Sequence, residues 1–273
     1  MKVGRFLGID VHIHWTFWLL IFIYLVSVAK TGGLYEGVLA VGFIWAVFFC
    51  VLLHEYGHAL AARKYGIRTL DITLMPLGGI ARLERLPEKP VHELVVALAG
   101  PAVNLVIAAV LLLVLFLDIV ATPAAPAMEI GKSFLGQLMA VNLVLALFNM
   151  LPAFPMDGGR VLRGLLAIKL GRLRATSISA RVGRWMALAL AIWAIFIDWN
   201  PMLLLLAGFI FVTGTMELFQ VRAQSVMQNM YQQAGDSYRF QWSFGPDGQP
   251  TAPGGNSGES EDVIDVVDYR KIR

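Results

Sequence analysis

Two histidines and a glutamate interrupt the apolar run Phe48-Phe49-Cys50-Val51-Leu52-Leu53-His54-Glu55-Tyr56-Gly57-His58-Ala59-Leu60 in the pattern H-E-x-x-H. At helical spacing His54 and His58 are i and i+4, so both imidazoles leave one face of a helix and can hold one metal ion. Glu55 lies about 100° round from His54, near the pair but out of line with it. Two neutral imidazoles suit zinc, and the carboxylate is left free to take a proton from water at the metal. A five-residue pattern with three fixed positions also arises by chance in ~1% of chains this long. Against that, ionisable side chains within a membrane-length apolar segment are costly and mark functional sites.

A second stretch could complete the site. An apolar segment ends abruptly at Asn149-Met150-Leu151-Pro152-Ala153-Phe154-Pro155-Met156-Asp157-Gly158-Gly159. Two prolines and two glycines stop a helix, which at membrane depth is tolerated only beside protein or a wet cavity. Asp157, free there of helix geometry, supplies the oxygen a catalytic zinc needs as third ligand and leaves the fourth position for water. The alternative is a D-G-G turn that merely connects helices. Asn142 and Asn149 are seven residues apart and share one face if the helix between them is regular. In Gly100-Pro101-Ala102-Val103-Asn104, Pro101 can kink the helix, and Asn104 is a polar group at membrane depth that needs a partner, either as interhelical glue or as a contact to substrate. The lone thiol, Cys50, fits helix packing better than metal ligation.

The elements that must position these groups are those of a membrane protein. Of 273 residues, 58% are hydrophobic and 15% charged, with a mean hydropathy of +0.67, against about 25% charged in a soluble domain. Spans are expected at Val11–Val28, Gly37–Tyr65, Val91–Leu117, Phe134–Leu151, Val182–Ile197 and Pro201–Leu218. The first follows Met1–Arg5 without a small-residue cleavage site and reads as a retained helix. His12 and His14 lie at its start beside Trp15 and Trp18 and read as interfacial groups. Between the second and third spans, Leu70, Ile72 and Leu74 alternate with Thr69, Asp71 and Thr73. Met75-Pro76-Leu77-Gly78-Gly79 then turns the chain into Ala81 and Leu83, alternating with Arg82 and Glu84. This predicts a short β-hairpin folded toward the site. Arg160 to Arg184 reads as a basic connector with a short helical piece. From about Gln220 the chain is polar, and Gly245 to Glu261 has linker composition between two alternating segments, Tyr238–Phe244 and Val263–Tyr269.

H-E-x-x-H in an apolar helix, G-P-x-x-N in the next, and N-x-x-P-x-x-P-x-D-G-G after a fourth together resemble the site-2 protease family of intramembrane zinc metalloproteases. The resemblance covers roughly Gly8 to Leu218 and is nearest to six-helix members without a PDZ or CBS domain. It implies an all-α polytopic membrane protein of about six transmembrane helices with a small re-entrant β-hairpin. Residues 1–219 would be the protease domain and 220–273 a mostly disordered cytoplasmic tail. It implies one Zn2+ per chain on His54, His58 and Asp157, Glu55 as general base, and Asn104 and Asn149 contacting substrate or transition state. The loop with Met75, Leu77, Gly78 and Gly79 would pair with the substrate as a β-strand.

Such a chain is expected to act on transmembrane protein substrates within a lipid bilayer, with a tail that is either plainly disordered or docks on a partner, and with no nucleic acid. Lys2, Arg5, the basic residues of 63–89 and 160–184 and those of the tail fall on one side of six spans, leaving Lys30 and Lys132 opposite. Both termini are therefore expected in the cytoplasm of a plasma-membrane protein, with the site near that face. The rival reading is a metal or ion transporter using the same His/Asp site. Transporters usually repeat a broken helix in matching halves, and here the break occurs once.

Overall fold

The computed structural model describes residues 1–76, 78–87, 89–121, 134–197, 199–237, 243–244 and 250–251. They fall into two units, Met1–Val221 and Arg222–Arg273. The first unit opens with β1 (Lys2–Phe6) and β2 (Ile9–Ile13), followed by α1 (Trp15–Gly32) and α2 (Leu34–Lys64). β3 (Thr69–Met75) and β4 (Gly78–Leu83) come next, then α3 (Pro90–Ala121), α4 (Phe134–Asn149), α5 (Asp157–Leu170), α6 (Arg172–Phe196) and α7, which starts at Pro201. α1, α2, α3, α6 and α7 are long and apolar enough to cross a membrane, and α4 is a shorter apolar helix. Large apolar side chains such as Phe22, Phe49, Val106, Leu113, Leu147 and Phe211 are exposed on them, as expected of surfaces whose solvent is lipid.

The predicted hairpin at 69–83 is present, but as half of a four-stranded sheet of order β1-β2-β3-β4. β2 runs parallel to β3, with Val11 opposite Ile72, and both hairpins are antiparallel. The expected first span therefore starts too early. Val11 to Ile13 belong to β2, His14 caps α1 by accepting the Thr16 backbone N–H on Nδ1 at 3.4 Å, and the helix begins at Trp15. Leu7 (φ 51°) and Gly8 (φ 85°) form the β1–β2 turn, both in the left-handed region that a two-residue hairpin turn of the primed type requires.

One face of the sheet packs on the helices. Ile9, Val11 and Ile72 meet Tyr56 and Ala59 of α2, while Ile13 and Leu74 meet Phe17 of α1 and Phe48 of α2. Complete burial of Ile72 contributes about 1.5–3 kcal/mol. The Tyr56 hydroxyl donates to Phe6 O at 3.1 Å and ties the first hairpin to α2. Asp10 and Asp71 are register partners across β2 and β3, a like-charge neighbour relation that each strand offsets separately. The Lys2 ammonium, 2.7 Å from Asp10, holds that carboxyl below the usual carboxylate range. The paired Arg82 guanidinium, with Nε 2.9 Å from Oδ1, does the same for Asp71.

Later expectations change as well. Asp157 is the first residue of α5 rather than part of a free turn, and α6 starts at Arg172, so the expected connector is almost entirely helical. In the second unit α7 continues to Ser237, beyond the expected helix end at Leu218, because no glycine or proline interrupts Val221 to Ala234. Ser243–Phe244 (β5) pairs antiparallel with Pro250–Thr251 (β6), so a strand lies within the stretch expected as linker. Leu77, most of that linker and Val263–Tyr269 lie outside the described residues.

Candidate metal centre

α2 carries His54 and His58 on one face, and both are buried. His58 Nδ1 lies 2.7 Å from Val96 O of α3. A carbonyl only accepts, so Nδ1 carries the proton, and Nε2 is the ring nitrogen left to serve a metal. That Nε2 is 3.1 Å from His54 Nε2 and 3.1 Å from Asp157 Oδ2, and His54 Nε2 is 3.2 Å from the same oxygen. Three electron-rich atoms thus form a nearly equilateral triangle. A tetrahedron with bonds of about 2.0–2.1 Å has edges of about 3.3 Å, so the triangle fits three ligands of one zinc ion.

Asp157 reaches the triangle because α5 starts there. Its carboxylate sits in the first helical turn, where the helix dipole favours negative charge. The two glycines that follow let the incoming chain fold tightly over α5. A Cβ on Gly158 would lie 2.3 Å from Met150 O, and one on Gly159 2.7 Å from the Ala153 carbonyl carbon.

Glu55 is half-buried and makes no hydrogen bond among the described residues. A Cβ on Gly79 would lie 2.6 Å from Glu55 Cγ and 3.0 Å from Oε1, so the start of β4 lies directly against this carboxylate. β4 is an edge strand of the sheet. Asn104 is fully buried, with neither amide atom hydrogen-bonded among the described residues. It sits one helical turn beyond Gly100 on the same face of α3. Asn149, at the end of α4, donates to Leu145 O of its own helix at 2.9 Å, as Asn142 does to Leu138 O at 2.8 Å. Met75 and Gly78 are the last residue of β3 and the first of β4, paired with each other.

Residues 42–129 and 117–190 match the sequence profile of Peptidase family M50. The chain belongs to peptidase family M50. It is 33% identical over 231 residues, 84% of its length, to a protein of Methanocaldococcus jannaschii named a zinc metalloprotease, and spans 64% of that protein. A Synechocystis relative is 38% identical over 169 residues, 56% of this chain and 43% of its own length. The fold matches a solved structure titled site-2 protease from Methanocaldococcus jannaschii. That match has a TM-score of 0.57 and 33% identity, covering 80% of this chain and 94% of the other.

The M50 site depends on residues whose roles their types and spacing do not reveal. A Cβ on Gly100 would stand 2.2 Å from His58 Nε2 and 2.7 Å from His54 Nε2, so the α3 backbone itself forms one wall of the triangle. Gly57 allows the same close approach, since its Cβ would lie 2.7 Å from Ala99 O. Arg163, on α5, is fully buried, with Nε 2.6 Å from Glu93 Oε1 of α3 and Nη1 against Glu217 of α7. Its guanidinium also stacks over Phe154. The usable signal in the sequence is Glu93, an acid at the head of an apolar span that has to find a cation. The Arg163–Glu93 pair joins the helix that carries Asp157 to the helix that carries Val96. Arg163→Met should leave buried carboxylates uncompensated and cost about 3–5 kcal/mol, read as a lower melting temperature of the purified protein. A variant that melts with wild type would show that these charges contribute no net stability.

Proposed function

We propose that this chain is an intramembrane zinc metalloprotease that hydrolyses a peptide bond in or near the transmembrane segment of other membrane proteins. The observation that carries this reading is the triangle of His54 Nε2, His58 Nε2 and Asp157 Oδ2 with a carboxylate beside it that is committed to no other partner among the described residues. These three residues would hold one zinc ion per chain, which supplies Lewis acidity toward water and the scissile carbonyl. Val96 O holds the proton of His58 Nδ1, so Nε2 is the nitrogen that would meet the ion. Glu55 takes the proton of the attacking water and returns it to the leaving amine. Asn104 keeps both amide dipoles free for the substrate backbone or the charge that develops on it, and Asn149 contributes from the end of α4.

A substrate helix hides its carbonyls in internal hydrogen bonds, so cleavage requires locally extended backbone. β4 offers an edge with which such a strand can pair. Gly79 against Glu55 brings that strand to the base, and Met75 and Gly78 hold the hairpin end that presents it. Both termini are assigned to the cytoplasmic side, since Lys and Arg concentrate there. A cysteine at Gly32 should then react with an impermeant thiol reagent from outside, and protection of that cysteine would reverse the topology.

Metal content tests the reading. His54→Ala, His58→Ala and Asp157→Ala should each lose zinc together with cleavage of a transmembrane substrate, by elemental analysis and gel assay on the same preparations. Asn104→Ala and Asn149→Ala should keep zinc and slow turnover. Stoichiometric zinc in Asp157→Ala would remove that residue from the ligand set.

A further inference from the structure

At the C-terminal end of α2, beyond His58, a cavity of about 660 Å³ is lined by the arginines 5, 63 and 68, which come from β1, the last turn of α2 and the α2–β3 connection. Arg63 is well placed for α2 itself, because cations favour a helix C-terminus. Nothing in helix chemistry accounts for Arg5 and Arg68 at the same cavity. Two of the guanidiniums meet at the β1–β2 turn. Arg5 Nε donates to Gly8 O at 3.2 Å, and a Cβ on Gly8 would lie 3.2 Å from Arg63 Nη2. The only acid near Arg5 among the described residues is Asp10, at 3.8 Å, and Lys2 already holds it at 2.7 Å. Arg63 and Arg68 form no ion pair among the described residues. The Glu84 backbone N–H donates to Arg68 O at 2.9 Å while its carboxylate stays unpaired with that guanidinium. Thr69, also in the lining, has a buried hydroxyl with no hydrogen-bond partner among the described residues.

Like charges converging on one cavity focus a positive potential into it, and an anion relieves their mutual repulsion. Planar guanidinium forks match the oxygens of a phosphate in pairs. Ile67 and Leu70 add apolar wall beside them. The place is the polar end of a membrane-crossing helix, the level at which headgroups lie. We propose that this cavity binds a phosphate ester, with Arg63 and Arg68 as its principal ligands and Arg5 and Thr69 completing the contacts. The ester can be the headgroup of an anionic phospholipid or a free phosphorylated molecule. Because the lining joins β1 and the β3 connection to α2 next to His58, occupancy would clamp the sheet that carries Gly79 onto Glu55. The binding itself does not rest on the protease reading.

Native mass spectrometry of the full-length protein in detergent tests it, with phosphatidylglycerol, phosphatidylcholine or inorganic phosphate added separately. Wild type should retain phosphatidylglycerol at least about tenfold better than phosphatidylcholine, and an Arg63→Gln/Arg68→Gln variant should lose about tenfold in that retention, the scale of one or two charge-assisted hydrogen bonds. Lys169→Gln, a charge removed elsewhere, should change nothing. Arg63→Lys/Arg68→Lys should fall between, since it keeps charge and loses the fork. Binding of inorganic phosphate with the same arginine dependence, without preference between the lipids, assigns the site to a free phosphate ester. If wild type prefers neither anionic lipid nor phosphate, or the double variant elutes as wild type and binds as wild type, the proposal is wrong. Should the double variant aggregate, Arg68→Gln alone, at an exposed position off the helices, should show the same loss of retention, and wild-type retention by that variant would equally overturn the proposal.

Discussion

Glu55→Gln should retain zinc at the wild-type level while peptide hydrolysis falls at least ~10²-fold, the usual scale for loss of a general base. The amide keeps the shape of the side chain, so the contact with Gly79 that seats it against β4 survives. It cannot accept a proton from water at neutral pH. No atom of the candidate metal triangle changes either, because His54, His58 and Asp157 meet one another without Glu55. The measurement is paired: zinc per chain, and the rate of appearance of cleaved transmembrane substrate. Cleavage at the wild-type rate with zinc bound would discard the protease mechanism and leave ion transport as the better account of the same ligands.

Gly100→Ala should lower zinc affinity by ~10²-fold or more, at or above the top of the 10–100-fold scale of perturbing groups around metal ligands. In an ordinary helix the same change stabilises by about 1 kcal/mol, because alanine loses less chain entropy than glycine. Here the added methyl would stand 2.2 Å from His58 Nε2, well inside van der Waals contact. Two escapes exist, and each breaks the hydrogen bond that orients His58. The imidazole can swing away, giving up the Val96 hydrogen bond at 2.7 Å. Otherwise α3 can back off α2, which Gly57 against Ala99 O holds close. Gly42→Ala, on α2 with nothing within 4 Å of the new methyl, is the matched control and should bind zinc like wild type. Zinc titration of both variants by competition with a chelator decides the matter. Equal affinities would mean that α3 yields at no cost.

The His54 and His58 part of the candidate site is legible in the sequence because its geometry is local. H-E-x-x-H places two imidazoles on one face whatever surrounds the helix, since i and i+4 always share a face. The alternation through Leu70, Ile72 and Leu74 predicted a strand, and β3 follows it with Ile72 and Leu74 buried. The first hairpin was not legible, for an equally local reason. Its turn is Leu7-Gly8, without the Asn-Gly or Asp-Gly pair that announces such turns, and β2 runs into the apolar start of α1 with only His14 between them.

Distance between segments is a different kind of information. Asp157 and His58 are 99 residues apart, and what sets Oδ2 at 3.1 Å from Nε2 is the packing of α3 against both α2 and α5. Gly100, Gly57 and Gly79 read in sequence as flexible or small residues. Only the packed structure turns each into a surface on which a neighbouring backbone or carboxylate rests. Likewise Arg163 and Glu93 are 70 residues apart, and a charge pattern along the chain cannot tell a solvated arginine from a buried one. Residue type and spacing by themselves determined which groups could bind a metal and which could move a proton. Tertiary packing decided that they converge, because backbone approach between helices depends on side chains that are absent as much as on those present.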